Sequence, residues 1–474
     1  MKKTKILIST ILLGLFFITA CDKDFEELNK NPNDATEVSS GLITADVVRN
    51  LGNSLYSTFW GGDMGSCWSQ QWAKVNYEEE ARYKPRESVI EGTIWKRLYE
   101  DVISDAHIME QLAIAEGNSN MQGVALVMQA YTYSILTETF GMIPFSEAMQ
   151  SAEGNFTPVY DSQQDVYNGI FAMLDKADGL FSATGGTITA ASDILYGGDY
   201  TGWQKFANTL KFRLKMRISH KVDVSTDLQD ILDNKSVFTS NSDEAKLIYL
   251  SAAPNANPIY ESLVLGARFE YKVNKVLVDM LVNLNDPRLA VYAEKNGDGE
   301  YRGKPSGIDN VPSTDWNYEN VSAVGDLYTQ PETPAIFMSY SEFMFLKAEA
   351  ALKGYITGNA QTFYENGVAA SFTTNEISSS YAAYITQATV ATATLQNVAE
   401  QNWLGLYCQG IESWTEWRRT GYPVLVIAIE AVEPEIPSRL SYPEIELSVN
   451  KTSCEAAISA QGGDNLTTKF WWLK

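Results

Sequence analysis

Cys21 closes the run Ile18-Thr19-Ala20-Cys21, behind a positive start at Lys2, Lys3 and Lys5 and an apolar segment from Ile6 to Ala20. Small residues at a cut site followed at once by cysteine make a lipoprotein signal. The thiol and the new amino terminus would carry acyl chains and hold the protein to a membrane without spanning it. The apolar segment falls short of the roughly 20 residues that a spanning helix needs. A second group of side chains has the chemistry of sugar recognition. Trp60, Asp63, Trp68, Gln70, Gln71, Trp72, Asn76, Tyr77 and Tyr83 fall in one stretch broken by Gly61, Gly62 and Gly65. Flat apolar faces can cover the C–H side of a pyranose while carboxylates and amides fix its hydroxyls. Asp315, Trp316, Asn317 and Tyr318 repeat that mixture on a smaller scale. Asn296-Gly297-Asp298-Gly299-Glu300 offers oxygen ligands in a tight turn, as calcium loops do. It lacks the twelve-residue pattern with a terminal bidentate glutamate, so a plain turn is expected and Asn296, Asp298 and Glu300 are a weak metal candidate.

Other chemistries have little to draw on. The formal charge is −23, and removing Lys2, Lys3 and Lys5 with the leader makes the remainder more negative still. Nucleic acid and anionic lipid would repel such a polyanion, so neither is expected as a broad partner. His107 and His220 are the only histidines, which leaves a histidine-dependent triad or a histidine-rich metal site almost nothing to use. With Cys21 committed to lipid, Cys67, Cys408 and Cys454 allow at most one disulfide, and their spacing fits neither a zinc site nor a redox motif. No nucleophile motif is present. Carboxylate pairs for glycoside hydrolysis are a matter of spatial separation, and no motif nominates one. No cofactor is expected.

The elements that must hold these residues are mostly helical. Trp95, Leu98, Val102, Ala106, Met109 and Leu112 recur at steps of three and four, as do Val124, Val127, Met128, Tyr131 and Ile135 before a stop at Gly141 and Pro144. Val166, Ile170, Leu174, Ala177 and Phe181 form a third stripe, and Trp203, Phe206, Leu210 and Leu214 a fourth. Phe343, Leu346, Ala350 and Ala351 end near Gly354, and Tyr364, Val368 and Phe372 begin a second helix across a short turn. Helix pairs of this size are the unit of tetratricopeptide-type repeats, although no repeat consensus is spelled out. Long aromatic-rich stretches lie between them, at 61–85, 253–258, 296–334 and 431–443. Loops of that length inside a packed chain are more often functional than filler. The organisation is therefore a leader at 1–20, an acidic, Asn- and Pro-bearing tether at 21–38, and one domain at 39–474.

Several segments, in order, resemble the SusD/RagB family of surface lipoproteins, in its starch-binding, outer-membrane associating branch. They are the acidic tail after Cys21 with Phe25-Glu26-Glu27-Leu28-Asn29-Lys30-Asn31-Pro32-Asn33, then 139–148, 208–214 and Asp286-Pro287-Arg288. The most specific are Gly410 to Pro423, which holds Trp414-Thr415-Glu416-Trp417-Arg418-Arg419, and the closing Gly462-Gly463-Asp464 with Trp471-Trp472. The resemblance implies a mainly α fold in which four tetratricopeptide-like helix pairs form a scaffold and long irregular loops carry the binding region. It implies a non-catalytic protein at the outer membrane, facing the exterior, that captures glycan and passes it to a SusC-like TonB-dependent transporter. A peptide ligand within the same kind of uptake system, or a surface-anchored glycosidase, remain the alternatives. The acidic stretch after Cys21 resembles the family's surface-export signal. Trp414, Glu416, Trp417, Arg418 and Arg419, shared among members whose ligands differ, are expected to be structural. Lys205, Lys211, Arg213, Lys215, Arg217 and Lys221 are expected to pair with internal carboxylates.

Overall fold

The apolar stripes close into helices, and consecutive helices pack in pairs. In the computed structural model, which describes residues 39–308 and 315–473, helix α1 (Ser40–Leu55) turns Val47, Val48 and Leu51 inward. It packs on a π-helical segment, Val89–Ser104, that runs directly into α2 (Asp105–Glu116). The start of α1 is tied to the end of α2 where Ser40 donates its N–H to the Glu116 carboxylate at 2.8 Å. Helix α3 (Ser119–Phe140) packs on α4 (Gln163–Leu180), and α5 (Tyr200–Arg217) on α6 (Ser225–Asn234). Helix α7 (Tyr340–Leu352) packs on α8 (Ala360–Thr374), and α9 (Leu395–Gly405) and α10 (Gly410–Thr420) follow. These four pairs are the expected scaffold. α3 is buried on nearly every side, as a helix that is apolar all round must be. Asn118 caps it through the Met121 N–H, and Gly141 ends it at a φ of +95°.

Strands are few and short. β1 (Trp72–Lys74) pairs antiparallel with β5 (Tyr271–Val273), β2 (Ile143–Pro144) with β3 (Tyr160–Asp161), and β4 (Ala245–Leu247) with β6 (Ala335–Met338). The compact unit runs over Ser40–Lys474. Cys21, the leader and the tether lie outside the described residues.

The signature at 410–423 and the basic helix α5 meet in the interior. Arg217 pairs with Glu138 at 3.0 Å and also with Glu412 and Glu416, all buried. Arg213 reaches Glu342 at 3.3 Å, and Arg419 bridges Glu416 at 2.8 Å and Glu349. Arg418 lies 3.7 Å from the Trp414 ring centroid and donates to the carbonyls of Glu138 and Ser438, each at 2.7 Å. Lys205, Lys211 and Lys215 pair with Asp243, Asp175 and Asp227. Taking a charge out of water is costly unless it is paired, and the buried guanidiniums of Arg213, Arg217 and Arg419 each have carboxylate partners, although burial still raises Glu138 and lifts Glu342 to about 8.

The stretch from Gly61 departs from expectation. It is not irregular throughout, because Thr58–Ser66 forms a π-helical segment in which the Gly62 N–H reaches the Ser57 carbonyl five residues back, at 3.1 Å. A Cβ added at Gly65 would stand 2.5 Å from the Gly410 carbonyl carbon, and one at Gly410 would collide with the Gly61 oxygen. These glycines therefore let the segment and α10 touch backbone to backbone. Cys67, Cys408 and Cys454 are all free and buried.

Candidate functional site

The β1–β5 pairing decides which aromatics face solvent. Trp72, opposite Val273, packs against Tyr271, and its indole N–H donates to the Tyr407 hydroxyl at 3.3 Å. Trp68 meets the edge of Trp414 and donates to the Glu80 carbonyl, while Gln71 donates to the Trp403 carbonyl. The Tyr83 hydroxyl accepts the Ala428 N–H at 2.9 Å. Trp60, Trp68, Gln71, Trp72 and Tyr83 are enclosed, with at most 2% of their surface exposed, and offer no face to a ligand. Gln70 is likewise buried, exchanging hydrogen bonds with the Val426 backbone. Two coverings account for this: α10 closes over Gly65 and Trp68, and the 426–428 backbone closes over Gln70 and Tyr83.

Asp63 is also enclosed, but it acts on the surface through its neighbours. Its carboxylate accepts from the Tyr271 hydroxyl at 2.7 Å and pairs with Lys74 at 2.9 Å and Arg86 at 3.3 Å. Burial raises its pKa, and Lys74 works in the opposite direction. Arg86, held by Asp63 and Glu80, brings its guanidinium to the surface, where its side chain is about half exposed.

Beyond β1 the chain emerges. Asn76 accepts the Tyr77 N–H at 3.0 Å, and Tyr77, in the left-handed region at a φ of +56°, is 58% exposed. It lines a cavity of about 550 Å³ with Glu79, Glu80, Arg86, Arg268 and Glu270. Arg268 also lines an adjoining cavity of about 510 Å³ with Phe59, Arg97 and Glu261. Phe59 lies between two guanidiniums, Arg86 at 5.1 Å and Arg268 at 4.8 Å from its centroid. Arg268 pairs with Glu270 at 2.6 Å. The result is a groove of fixed donors and acceptors, beside aromatic carbon faces, in which both arginines are paired with carboxylates and the exposed Glu79 adds a further acceptor. Neither histidine lines it.

The second patch lies at the other margin of the sheet. Lys272 of β5 is buried, and it donates its Nζ to the Tyr318 carbonyl at 2.9 Å. Burial pushes its amine down to about 8. Trp316 is half-buried, with the Arg302 guanidinium 4.5 Å from its ring, and Tyr318 is 37% exposed. The Asn317 side chain accepts from the N–H groups of Glu319 and Asn320, which fixes the turn. Neither Trp316, Asn317 nor Tyr318 lines the Tyr77 cavity, so the two patches share the β1–β5 sheet and not one pocket.

Asn296 spends its oxygen on the N–H groups of Asp298 and Glu300, at 3.1 and 2.9 Å, and its amide on the Asn320 carbonyl. The turn thus braces the 315–320 loop. Among the described residues no group of three His, Cys, Asp or Glu is arranged to hold a metal.

Phe59, Arg86, Arg268 and Phe269, the last 62% exposed, escaped the sequence reading. Nothing local marks them. Their neighbourhood depends on pairing two strands some two hundred residues apart, which one sequence does not display.

The model of a family described as starch-binding and associating with the outer membrane matches residues 32–443. Among solved structures, a chitin-binding protein is 27% identical, with a TM-score of 0.82, covering 92% of this chain and 99% of that one. A SusD homologue from Bacteroides fragilis is 25% identical, with a TM-score of 0.76, covering 92% of this chain and 100% of that one. A chitin-binding SusD homologue from Flavobacterium johnsoniae, at 24% identity and a TM-score of 0.79, is matched over 91% of this chain and 98% of that one and shares the fold. A search of the curated proteins finds no match.

Proposed function

The chain belongs to the SusD-like family described as starch-binding and associating with the outer membrane, and from that premise we propose a non-catalytic lipoprotein that binds neutral oligosaccharide. Cys21 anchors it at the outer membrane, on the exterior face, and the tether at 21–38 lets the binding domain pass its ligand to a SusC-like TonB-dependent transporter. The single observation that carries the ligand class is the groove at Tyr77, in which every arginine is paired. Two arginines and three glutamates line that cavity, and Arg86 and Arg268 each hold a carboxylate. No surplus of positive charge invites an anion. The pairs instead present N–H donors and carboxylate acceptors side by side, as hydroxyl recognition requires, next to an exposed tyrosine face. Asn76 and Tyr77 are the foremost contacts, with Trp316, Asn317 and Tyr318 a second surface for a longer chain.

The two chitin-binding relatives make N-acetylglucosamine oligomers the first probes. The test is calorimetric titration of the chain from Cys21 onward with chito-, malto- and xylo-oligosaccharides and with a mixed oligopeptide pool, followed by product analysis. Saturable binding of at least one oligosaccharide without cleavage is expected. Binding of peptides alone, or release of shorter sugars, would overturn the proposal in favour of a peptide carrier or a glycosidase.

A further inference from the structure

A second cavity, of about 410 Å³, lies between β4, β6 and the turn from α9 to α10. It falls within the roughly 300 to 1,000 Å³ of small-molecule sites. Its lining mixes aromatic and aliphatic carbon with polar side chains, Asn241, Gln330, Thr333, Thr373 and Thr374 among them. The Tyr407 hydroxyl is spent on the Tyr292 carbonyl at 2.7 Å, the Tyr328 hydroxyl on Asn375 at 2.7 Å, and the Tyr56 hydroxyl accepts the Ile336 N–H at 2.8 Å. Those bonds fix three rings and leave their carbon surfaces toward the space, with Ile259 and Ile336 completing the wall.

Two polar features face the same space. Gln409 lines the cavity and is 7% exposed. It stands at the cap position of α10, yet its side chain makes no capping bond. An amide that lines the cavity and has no capping duty is able to pair with a molecule seated there. Lys246 and Glu244 form an ion pair at 3.4 Å, with Glu244 anchored by the Tyr340 N–H at 3.1 Å. Their charges cancel, with Glu244 on the inner wall and Lys246 at the entrance. At the rim, Glu332 and Glu376 are exposed and negative. Two lining residues, Cys408 and Glu376, hold positive φ values of 64° and 60° without being glycine, a backbone state that persists only where the surroundings impose it.

We propose that this cavity is a second ligand site, taking one neutral polyhydroxylated ring. The tyrosine and isoleucine surfaces suit its C–H groups, the Gln409 amide offers a donor and an acceptor, and Lys246 adds donors at the entrance. The acidic rim opposes anions, and the compensated inner wall gives no reward to a bare cation. The chain passes from this site to the cavity lined by Phe59 and Arg97. Tyr56 and Ile259 line the first, while their chain neighbours Ser57 and Pro258 line the second. The proposal goes beyond the carrier function and does not depend on it.

The test labels isoleucine methyls in the full domain and titrates glucose, galactose and N-acetylglucosamine, reading the Ile259 and Ile336 signals. Saturable shifts at both methyls with at least one sugar are expected. Gln409→Leu should weaken that response about tenfold, the scale of a lost buried hydrogen-bond partner. Lys246→Met, on the rim and away from the helix start, should weaken it severalfold if Gln409→Leu disturbs folding. Tyr77→Ala should leave it unchanged. Absence of shifts with all three sugars, an unaltered response in both cavity variants, or loss of the response in Tyr77→Ala would overturn the second site.

Discussion

Glu416 lies buried between Arg217 and Arg419, and its surroundings explain why the densest run of charged and aromatic residues is scaffold. Burial works to raise its pKa, but the guanidiniums of Arg419 and Arg217 outweigh that and hold the carboxyl at about 2. A folded pKa below the ordinary value of 4.5 gives stability that is present above about 4.5 and lost as pH falls toward 2. The displacement corresponds to on the order of 3 kcal/mol. Urea unfolding of wild type and Glu416→Gln should therefore show the widest stability gap near neutral pH, narrowing steadily between about pH 4.5 and 2. A gap independent of pH would mean that the arginines do not set this carboxyl. Tyr77 stands at the opposite extreme, as an exposed ring on a left-handed backbone. Sequence could nominate it as an aromatic among loop residues, but not separate it from Trp68 or Trp72, because burial here is decided by distant segments.

At the scale of elements, α2 to α5, α7 and α8 were legible because each keeps an apolar stripe at helical spacing, as Val124 to Ile135 does before Gly141, while α1 and α6 emerge only in the structure. The strands were not, since β1 and β5 have three residues each and a period of two cannot declare itself in so short a run. The π-helical Thr58–Ser66 was hidden for a different reason. Glycine is a poor helix former, so Gly61, Gly62 and Gly65 read as breakers, whereas a side chain at Gly65 would meet the backbone of α10, one at Gly61 the Leu55 carbonyl, and one at Gly62 the Trp72 ring. Gly65→Ala should then lower unfolding free energy by about 2–3 kcal/mol, the cost of overpacking a tight contact. Differential scanning calorimetry would register it as a clear loss in melting temperature, and an unchanged melting point would refute the close-approach account. The ligand groove was half legible for the same reason. Asn76 and Tyr77 stood out by type, while Phe59, Arg86 and Arg268 join them only through strand pairing.

For the whole molecule, the proposed carrier role requires that Cys21 hold the binding domain at the outer membrane. Cys21→Ala should leave oligosaccharide affinity unchanged, release the protein from the outer-membrane fraction and abolish ligand uptake in growing cells. Undiminished uptake by the released form would remove the tether from the mechanism. The account turns on one claim, that ligand lies against the exposed ring at the end of β1 and not against the tryptophans beneath it. Calorimetric titration of the best-binding oligosaccharide with wild type, Tyr77→Ala and Trp72→Phe tests it directly. The account predicts about tenfold weaker binding in Tyr77→Ala, the loss of about 1 kcal/mol or slightly more of aromatic contact, with an unchanged melting temperature. Trp72→Phe should instead lower the melting temperature and bind as wild type does. Wild-type affinity in Tyr77→Ala, with weakened binding in a folded Trp72→Phe, would contradict it.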